Sequence, residues 1–296
     1  MHIDICVFFL LLLWGLPMSS VDGTVTITSP TEVKEKTKIC GSIDIRNHVR
    51  EFQQLRGCNV VEGFVQIVLV ENANESEFQN LSFPELREIT NYLILFRVRK
   101  LKKLGPLFPN LTVIRGIELF LDYSLVIYDM HDLEELGLWS LTAVQRGSVR
   151  IENNRMLCFY NTVDWKNITV RGDYYVGHNK DHRSCPSKSL CDVENCSKNM
   201  CWGTQVQNCR KPPKQGECHD LCLGGCTGPR ADQCFVCKEV LNDGKCVLEC
   251  PLDSGMQAFT AGNRGNVSPS TAEGIFSGER FKLLFPCRRL DCEGET

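Results

Sequence analysis

The chain has 296 residues, 43% hydrophobic and 23% charged, with a formal net charge of −3; this predicts a folded protein of about two domains and excludes wholesale disorder. A charge so close to zero excludes nucleic-acid binding through bulk positive potential. The 18 cysteines read as metal ligands inside a cell and as disulfides outside it, so the compartment decides their chemistry.

Residues Ile5 to Leu16 form an unbroken apolar run, ICVFFLLLLWGL, followed by Pro17 and the small residues Ser19, Ser20 and Gly23. The run is too short for a hydrocarbon core that needs about 20 residues, and it fits the apolar region of a secretory signal. Residues 1–23 are therefore expected to be a signal peptide cut between Ser20 and Gly23, with a buried N-terminal helix as the alternative. No later segment approaches membrane-spanning length, so the mature chain is expected to be secreted, with no membrane span. The sequons at Asn74, Asn80, Asn110, Asn167 and Asn266 become usable glycosylation sites on that route; a further one, Asn195, abuts Cys196 and is the weakest.

No cysteine lies between Cys58 and Cys158, whereas twelve lie from Cys185 to Cys250. The first half must fold on apolar burial and the second on covalent cross-links. Ile45, Val49, Phe52 and Leu55 recur at spacings that place them on one helical face, with Gly57 as the left-handed cap, which predicts a short helix bracketed by Cys40 and Cys58. Beyond it, FPELREITNYLILF (Phe83–Phe96) aligns with FPNLTVIRGIELFL (Phe108–Leu121) at an offset of 25 residues, echoed by Leu133–Asn154. Such a period implies a leucine-rich or β-helical solenoid, with strands at Phe64–Val70, Leu93–Val98, Ile117–Leu121 and Val149–Glu152. Val149 and Ile151 alternate with Arg150 and Glu152, so one pair faces the core and the other faces out. Stacked strands then expose one strip: Gln66 and Val68, Phe96, Phe120, Arg150 and Glu152. A strip mixing aromatics with charges fits protein recognition, although periodicity alone equally allows Phe96 and Phe120 to fill the core.

The second half runs C191-x4-C196-x4-C201-W-G-x5-C209-x8-C218-x3-C222-x3-C226-x7-C234-x2-C237-x8-C246-x3-C250-P. These spacings describe rod-like modules of one or two disulfides. Zinc would need tetrahedral sets of four ligands, and only Cys234-x-x-Cys237 resembles half of one; no βαβ pattern surrounds that pair, so a redox role is disfavoured as well.

The stretches CGSIDIRNHVREFQQLRGCNVVEGFVQI, LSFPELREITNYLILFRV, LFPNLTVIRG and RGSVRIENNRMLC closely resemble the first leucine-rich ligand-binding domain of the insulin receptor and insulin-like growth factor receptor family. The cysteine-rich stretch resembles that family's furin-like region. The match covers about Cys40 to Pro251; Cys201-Trp-Gly and TGPRADQC also look like epidermal growth factor receptor modules, while Asp44-Ile-Arg-Asn and RGSVRIE favour the insulin-receptor branch. The resemblance implies a mainly β chain: a right-handed β-helix or leucine-rich-like solenoid (24–190), an irregular, disulfide-rich furin-like region (191–251), and a divergent tail (252–296) expected to be disordered.

It also implies recognition of an insulin-like peptide hormone. Carried over by position, the contacts are Asp44, Arg46, Asn47, Gln66, Val68, Leu69, Phe96, Phe120, Tyr123, Arg150 and Glu152, which favours exposure of Phe96 and Phe120. The chain departs from the family's pattern at Glu71 and Leu121, where aromatics are usual, and at Asp129, which shortens a glutamate. The implied disulfides are Cys40–Cys58, Cys158–Cys185, Cys191–Cys201, Cys196–Cys209, Cys218–Cys226, Cys222–Cys234 and Cys237–Cys246. Four family cysteines are missing between Cys209 and Cys218, equivalent to one whole module. Cys250, Cys287 and Cys292 remain, and Cys250 is expected to pair with one of the other two.

The leading expectation is a secreted, truncated receptor-like chain that acts as a decoy or modulator of insulin-like peptides. The alternatives are an interaction or dominant-negative module pairing with full-length receptor, or a truncated product of a receptor tyrosine kinase gene. Neither a phosphate loop nor a kinase or hydrolase motif is present, so no enzyme activity, metal or cofactor is expected. His178 and His182, near Asp181, read as solvated loop residues.

Overall fold

The computed structural model describes residues 37–186, 201–205, 208–209 and 216–249, together with the short strands Met256–Gln257 and Arg288–Arg289. The chain opens with β1 (Ile39–Cys40), β2 (Ile43–Arg46), a 3-10 helix (Val49–Leu55), β3 (Val60–Val61), β4 (Val65–Val70) and α1 (Glu75–Phe78). There follow β5 (Glu88–Ile89), β6 (Leu93–Val98), β7 (Val113–Ile114), β8 (Tyr123–Tyr128), β9 (Ala143–Val144), β10 (Ser148–Glu152), α2 (Trp165–Ile168) and β11 (Tyr174–Gly177). The cysteine-rich part holds β12 (Cys222–Cys226), β13 (Cys234–Cys237), β14 (Val240–Asn242) and β15 (Lys245–Val247), and β16 (Met256–Gln257) pairs antiparallel with β17 (Arg288–Arg289).

The first part is mainly β and its strands are parallel. A five-stranded sheet runs β1-β3-β5-β7-β9 and a six-stranded sheet runs β2-β4-β6-β8-β10-β11, so successive strands alternate between two sheets and each stacks on its predecessor. The inner rows explain why these sequences stay together. Val65 and Ile67, Leu93 and Leu95, Leu125 and Ile127, Val149 and Ile151 from one sheet meet Val61, Ile89, Ile114 and Val144 from the other in a single solvent-free core. β-branched residues dominate these rows because their stiff side chains pack well on a pleated surface.

Three local expectations are corrected. The segment Val49–Leu55 is a 3-10 helix with Val49, Phe52 and Leu55 buried; their spacing of three suits its three-residue turn, while Ile45 belongs to β2. Gly57 does adopt the left-handed conformation, at φ 73°. The segment Ile117–Leu121 is no strand: that coil's strand is β8, because Leu93 pairs with Leu125 and Phe96 with Tyr128, whereas the 25-residue offset would have aligned Leu93 with Glu118. The extra residues form a protruding turn in which Phe120 and Tyr123 exchange backbone hydrogen bonds of 2.8 and 2.9 Å. At its tip Leu121 (φ 51°) and Asp122 (φ 69°) are both left-handed, the conformation a two-residue type I′ turn requires.

Disulfides join Cys40–Cys58, Cys158–Cys185, Cys218–Cys226, Cys222–Cys234 and Cys237–Cys246, the partners the resemblance implies. The Cys234-x-x-Cys237 motif is thus split between two bridges. Cys201 and Cys209 are disulfide-bonded too; Cys191, Cys196, Cys250, Cys287 and Cys292 lie outside the described residues, as do residues 1–23 and Asn266. In the tail, β16 pairs with β17; the rest of 252–296, where disorder was expected, lies outside the described residues.

The cysteine-rich part is bound to the β part by side chains that enter it. Trp202 is fully buried in the main core, edge-on to Trp165 at 5.5 Å. Arg115, only 2% exposed, grips the Glu88 carboxylate through Nε and Nη2 at 2.8 Å each, and its terminal nitrogens donate to the carbonyls of Cys237 (3.1 Å) and Lys238 (3.2 Å). Around this clamp Leu223 and Val236 cover Val113 and Ala143, and Gly224 lies so close to Thr112 that a Cβ there would collide with it. Removing one partner of a buried ion pair leaves the other unpaired in a low dielectric. Arg115→Ala should therefore cost about 3–5 kcal/mol in chemical denaturation, and limited proteolysis should cut the Cys218–Cys246 segment faster than in the unaltered chain.

Candidate functional site

The outer face of the six-stranded sheet is organised by register. Asp44, Gln66, Ile94, Val126, Arg150 and Tyr175 form one row across the strands. The next row is Arg46, Val68, Phe96, Tyr128, Glu152 and Gly177. At the centre Val68, Ile94 and Val126 make an apolar cluster outside the core, packed by Tyr92, Phe96, Tyr123 and Tyr128. Phe64 stacks on Tyr92 at 5.0 Å and Tyr92 meets Phe120 at 5.9 Å, which extends the patch to the protruding turn. Phe120 is 41% exposed and Leu121 75%, so Phe120 points out of the core, yet it sits beside the strip and not in it. Its expected place is taken by Val126 and Tyr128.

Charged pairs frame this centre. Asp44 and Arg46 form an exposed 2.8 Å pair, with Gln66 Nε2 at 3.5 Å from Asp44. Arg150 lies 5.7 Å from the rings of both Tyr123 and Tyr128 while its Nη2 holds Glu152 at 2.6 Å. His178 lies in an exposed loop as expected, with its side chain 68% exposed, and its Nδ1 is 3.1 Å from Glu152 Oε1 and 3.4 Å from the Tyr175 hydroxyl. His182 likewise keeps to an exposed contact with Asp181 at 3.6 Å. The hydrogen bond from His178, then the bond and charge of Arg150, hold the Glu152 carboxyl below the usual carboxylate range.

A third row comes from the backbone. Asn47, Leu69, Arg97, Asp129, Asn153 and His178 each follow the second row by one residue, and all are left-handed, with φ between 50° and 66°. Apart from Asn and Asp, which visit it more readily, each such non-glycine residue costs about 1–2 kcal/mol, and at this corner the side chains of Leu69 and Arg97 stay outward and exposed. The contacts record that outward aim: the Arg97 guanidinium lies 4.9 Å over the Phe96 ring, Arg97 Nε donates to Asp129 at 2.7 Å, and Asn153 Nδ2 donates to the Tyr128 hydroxyl at 2.8 Å. Behind this corner, buried Asn154 donates to the Ile127 carbonyl at 3.1 Å and accepts from Met130 N at 2.9 Å, so the interrupted ladder stays satisfied.

The residues named from the sequence thus share one face, apart from Phe120 and Tyr123 at its rim. Sequence reasoning missed Tyr92, Ile94, Val126, Tyr128, Arg97 and Asn153. Alternation backward from Phe96 reaches Ile94 and Tyr92, which could have been found; the rest depend on the true register of β8 and on the left-handed corner. Among the sequons, Asn74, Asn80 and Asn167 are exposed, while Asn110 is half-buried with Nδ2 on the Pro84 carbonyl at 2.7 Å. No group of metal-ligating side chains exists among the described residues, and no helix among them is long and apolar enough to cross a membrane.

The Receptor L domain family model matches residues 57–169, and the Furin-like cysteine rich region model matches 169–281, so the furin-like match runs past Pro251, where the resemblance was expected to stop. The chain is 43% identical over 243 residues to an insulin-like growth factor 1 receptor of Xenopus laevis, covering 73% of this chain and 18% of that protein. It is 41% identical over 264 residues to an insulin-like peptide receptor of Branchiostoma lanceolatum, covering 84% of this chain and 19% of that one. An insulin receptor of Xenopus laevis is 41% identical over 240 residues, 73% of this chain and 18% of its own length. The chain therefore spans under a fifth of the length of these relatives, over their ligand-binding N-terminal region.

Because its carboxyl is more acidic in the folded state, Glu152 contributes stability at pH values above the ordinary carboxylate range, and that contribution is lost as pH falls through the lowered value. Denaturation midpoints measured from pH 7 to pH 3 should fall less for Glu152→Gln than for the unaltered chain.

Proposed function

We infer, for a chain that carries the receptor L domain and furin-like cysteine-rich region of the insulin-receptor family, that the outer face of its six-stranded sheet binds an insulin-like peptide hormone. The observation that carries this reading is the apolar cluster of Val68, Ile94 and Val126 with its four aromatics, set outside the core and framed by charged pairs. Aromatic and arginine anchors ringed by polar groups are the pattern that dominates binding energy at protein interfaces. Asp44, Arg46, Asn47, Gln66, Val68, Leu69, Phe96, Arg150 and Glu152 supply contacts across the strands, with Phe120 and Tyr123 along the rim. Parallel strands pairing in chain order also support a right-handed β-helix as the scaffold.

The exposed sequons at Asn74, Asn80 and Asn167 support an extracellular, glycosylated chain. Outside the cell and apart from any kinase, hormone binding would make it a decoy or modulator. A second partner, full-length receptor, is distinguished by co-purification that survives loss of hormone binding through Phe96→Ala and Arg150→Ala.

Titration calorimetry with insulin-like peptides should give saturable binding. Phe96→Ala should weaken it by about 2 kcal/mol, about thirtyfold, without shifting the melting midpoint as a core substitution does. Saturable binding that is unaffected by Phe96→Ala would move the site off this face.

A further inference from the structure

Stacked coils leave an open end that needs a polar cap, and here that end is β11, an edge strand of the six-stranded sheet. Tyr174 pairs with fully buried Val149, so register assigns it to the inward row, yet it is 49% exposed. Beside it lies an open groove of about 380 Å³, walled by Tyr160, Trp165, Tyr174 and Val176 and rimmed by the polar residues Asn161 and Asp164. Trp165 belongs to the main core and Tyr160 and Val176 pack against it, so the groove opens directly onto that core. Its walls are held in place: Trp165 Nε1 donates to the Tyr160 carbonyl at 2.8 Å, and the Tyr160 hydroxyl donates to the Lys180 carbonyl at 3.0 Å. Ligand sites hold about 300–1,000 Å³ between aromatic walls with a few polar groups; this one is at the small end, which suits a sugar better than a folded partner.

Two observations identify where the sugar comes from. Asn167, first residue of the sequon Asn167-Ile168-Thr169, is exposed on α2, and its Nδ2 donates to the groove-rim carboxylate of Asp164 at 3.0 Å. Thr169 is only 6% exposed, and its Oγ1 is buried with no hydrogen-bond partner. An unpaired buried hydroxyl is a cost that valine, of nearly the same shape, would avoid. The fold does not account for that hydroxyl, whereas a sequon requires it. Resting on the reading of the chain as extracellular and glycosylated, we propose that Asn167 carries an N-linked glycan whose first sugar docks in this groove and caps the open end of the stack. In the transfer, Asn167 Nδ2 bonds to the anomeric carbon of a lipid-diphosphate-linked oligosaccharide. The bond from that carbon to the phosphate oxygen breaks, the lipid diphosphate leaves with the electron pair, and one amide proton is released. The remaining N–H keeps its bond to Asp164. Because the Thr169 hydroxyl is inaccessible once folded, the transfer precedes the packing of α2 onto the core. The C–H face of the sugar then lies on Tyr174, with Asn161 in reach of its hydroxyls.

The test uses the full chain secreted by a glycosylating cell, digested in its native state with peptide-N-glycosidase and followed by peptide mass spectrometry. Asn167 should be occupied, and its glycan should be released at least about tenfold more slowly than those of Asn74 and Asn80, because the sugar must undock first. Tyr174→Ala should bring the three rates together. Thermal melts give a second readout that does not depend on that variant folding well. In the secreted chain Thr169→Val should remove the glycan and lower the midpoint by about 2–4 °C; in chain refolded from a host that adds no glycans, the same substitution should leave the midpoint unchanged or raise it. An occupied Asn167 released as fast as Asn74, with Thr169→Val melting like the unaltered secreted chain, would overturn the docking and leave the glycosylated reading intact. A bare Asn167 beside occupied Asn74 and Asn80 would do the same, and a secreted chain bare at all three would overturn both. Melting that depends on protein concentration and survives Asn167→Gln but not Tyr174→Ala would overturn the proposal by giving the groove to a second copy of the chain.

Discussion

Parallel pairing in continuous register is the constraint on which everything else in this molecule depends. Because strand follows strand in chain order within each sheet, equivalent residues of successive coils fall into straight rows, and each row acquires one character along its length. Inward rows of valine, isoleucine and leucine close the core. Outward rows collect the aromatic and charged residues of six strands into one surface. A one-residue slip in any strand would exchange the two sets, so the apolar core and the outer face specify each other.

The left-handed column shows what that face costs. Six non-glycine residues hold the left-handed conformation at the same corner, and the fold offsets the interruption of its ladder with buried Asn154 and half-buried Asn179 and with the core beneath. Rigidity comes partly from the cysteine-rich part, which inserts Trp202 into that core and receives Arg115 at its backbone carbonyls. Glu135 makes a comparable junction, accepting from the Thr204 hydroxyl at 2.8 Å and from Asn208 Nδ2 at 3.3 Å while Lys103 lies 3.3 Å away. A face built on strands and braced from the opposite sheet loses little entropy on binding, which is how a modest apolar cluster can yield useful affinity.

Much of this was legible in the sequence, for identifiable reasons. Val149–Glu152 announces itself because apolar and polar residues alternate with a period of two, and Leu93–Val98 because a short apolar run recurs in the repeat; β6 and β10 lie at those segments. The disulfide partners followed from resemblance, since spacing alone leaves many pairings open. The coil of β8 was misplaced because Ile117, Leu119, Phe120 and Leu121 look like a strand, and only the register reveals the lengthened turn. The left-handed column was invisible because Leu69, Arg97 and His178 carry no residue signal for positive φ. That corner is shared by all the neighbouring strands, and a single strand's sequence does not announce it.

Hydrogen–deuterium exchange of the whole chain, with and without a saturating insulin-like peptide, tests most directly whether the outer sheet face is the binding surface. The rows assembled by register predict protection concentrated in Gln66–Leu69, Ile94–Arg97, Tyr123–Asp129 and Arg150–Asn153, with the five-stranded sheet unchanged. Protection confined to the cysteine-rich part, with those four segments exchanging as in the free chain, would contradict it.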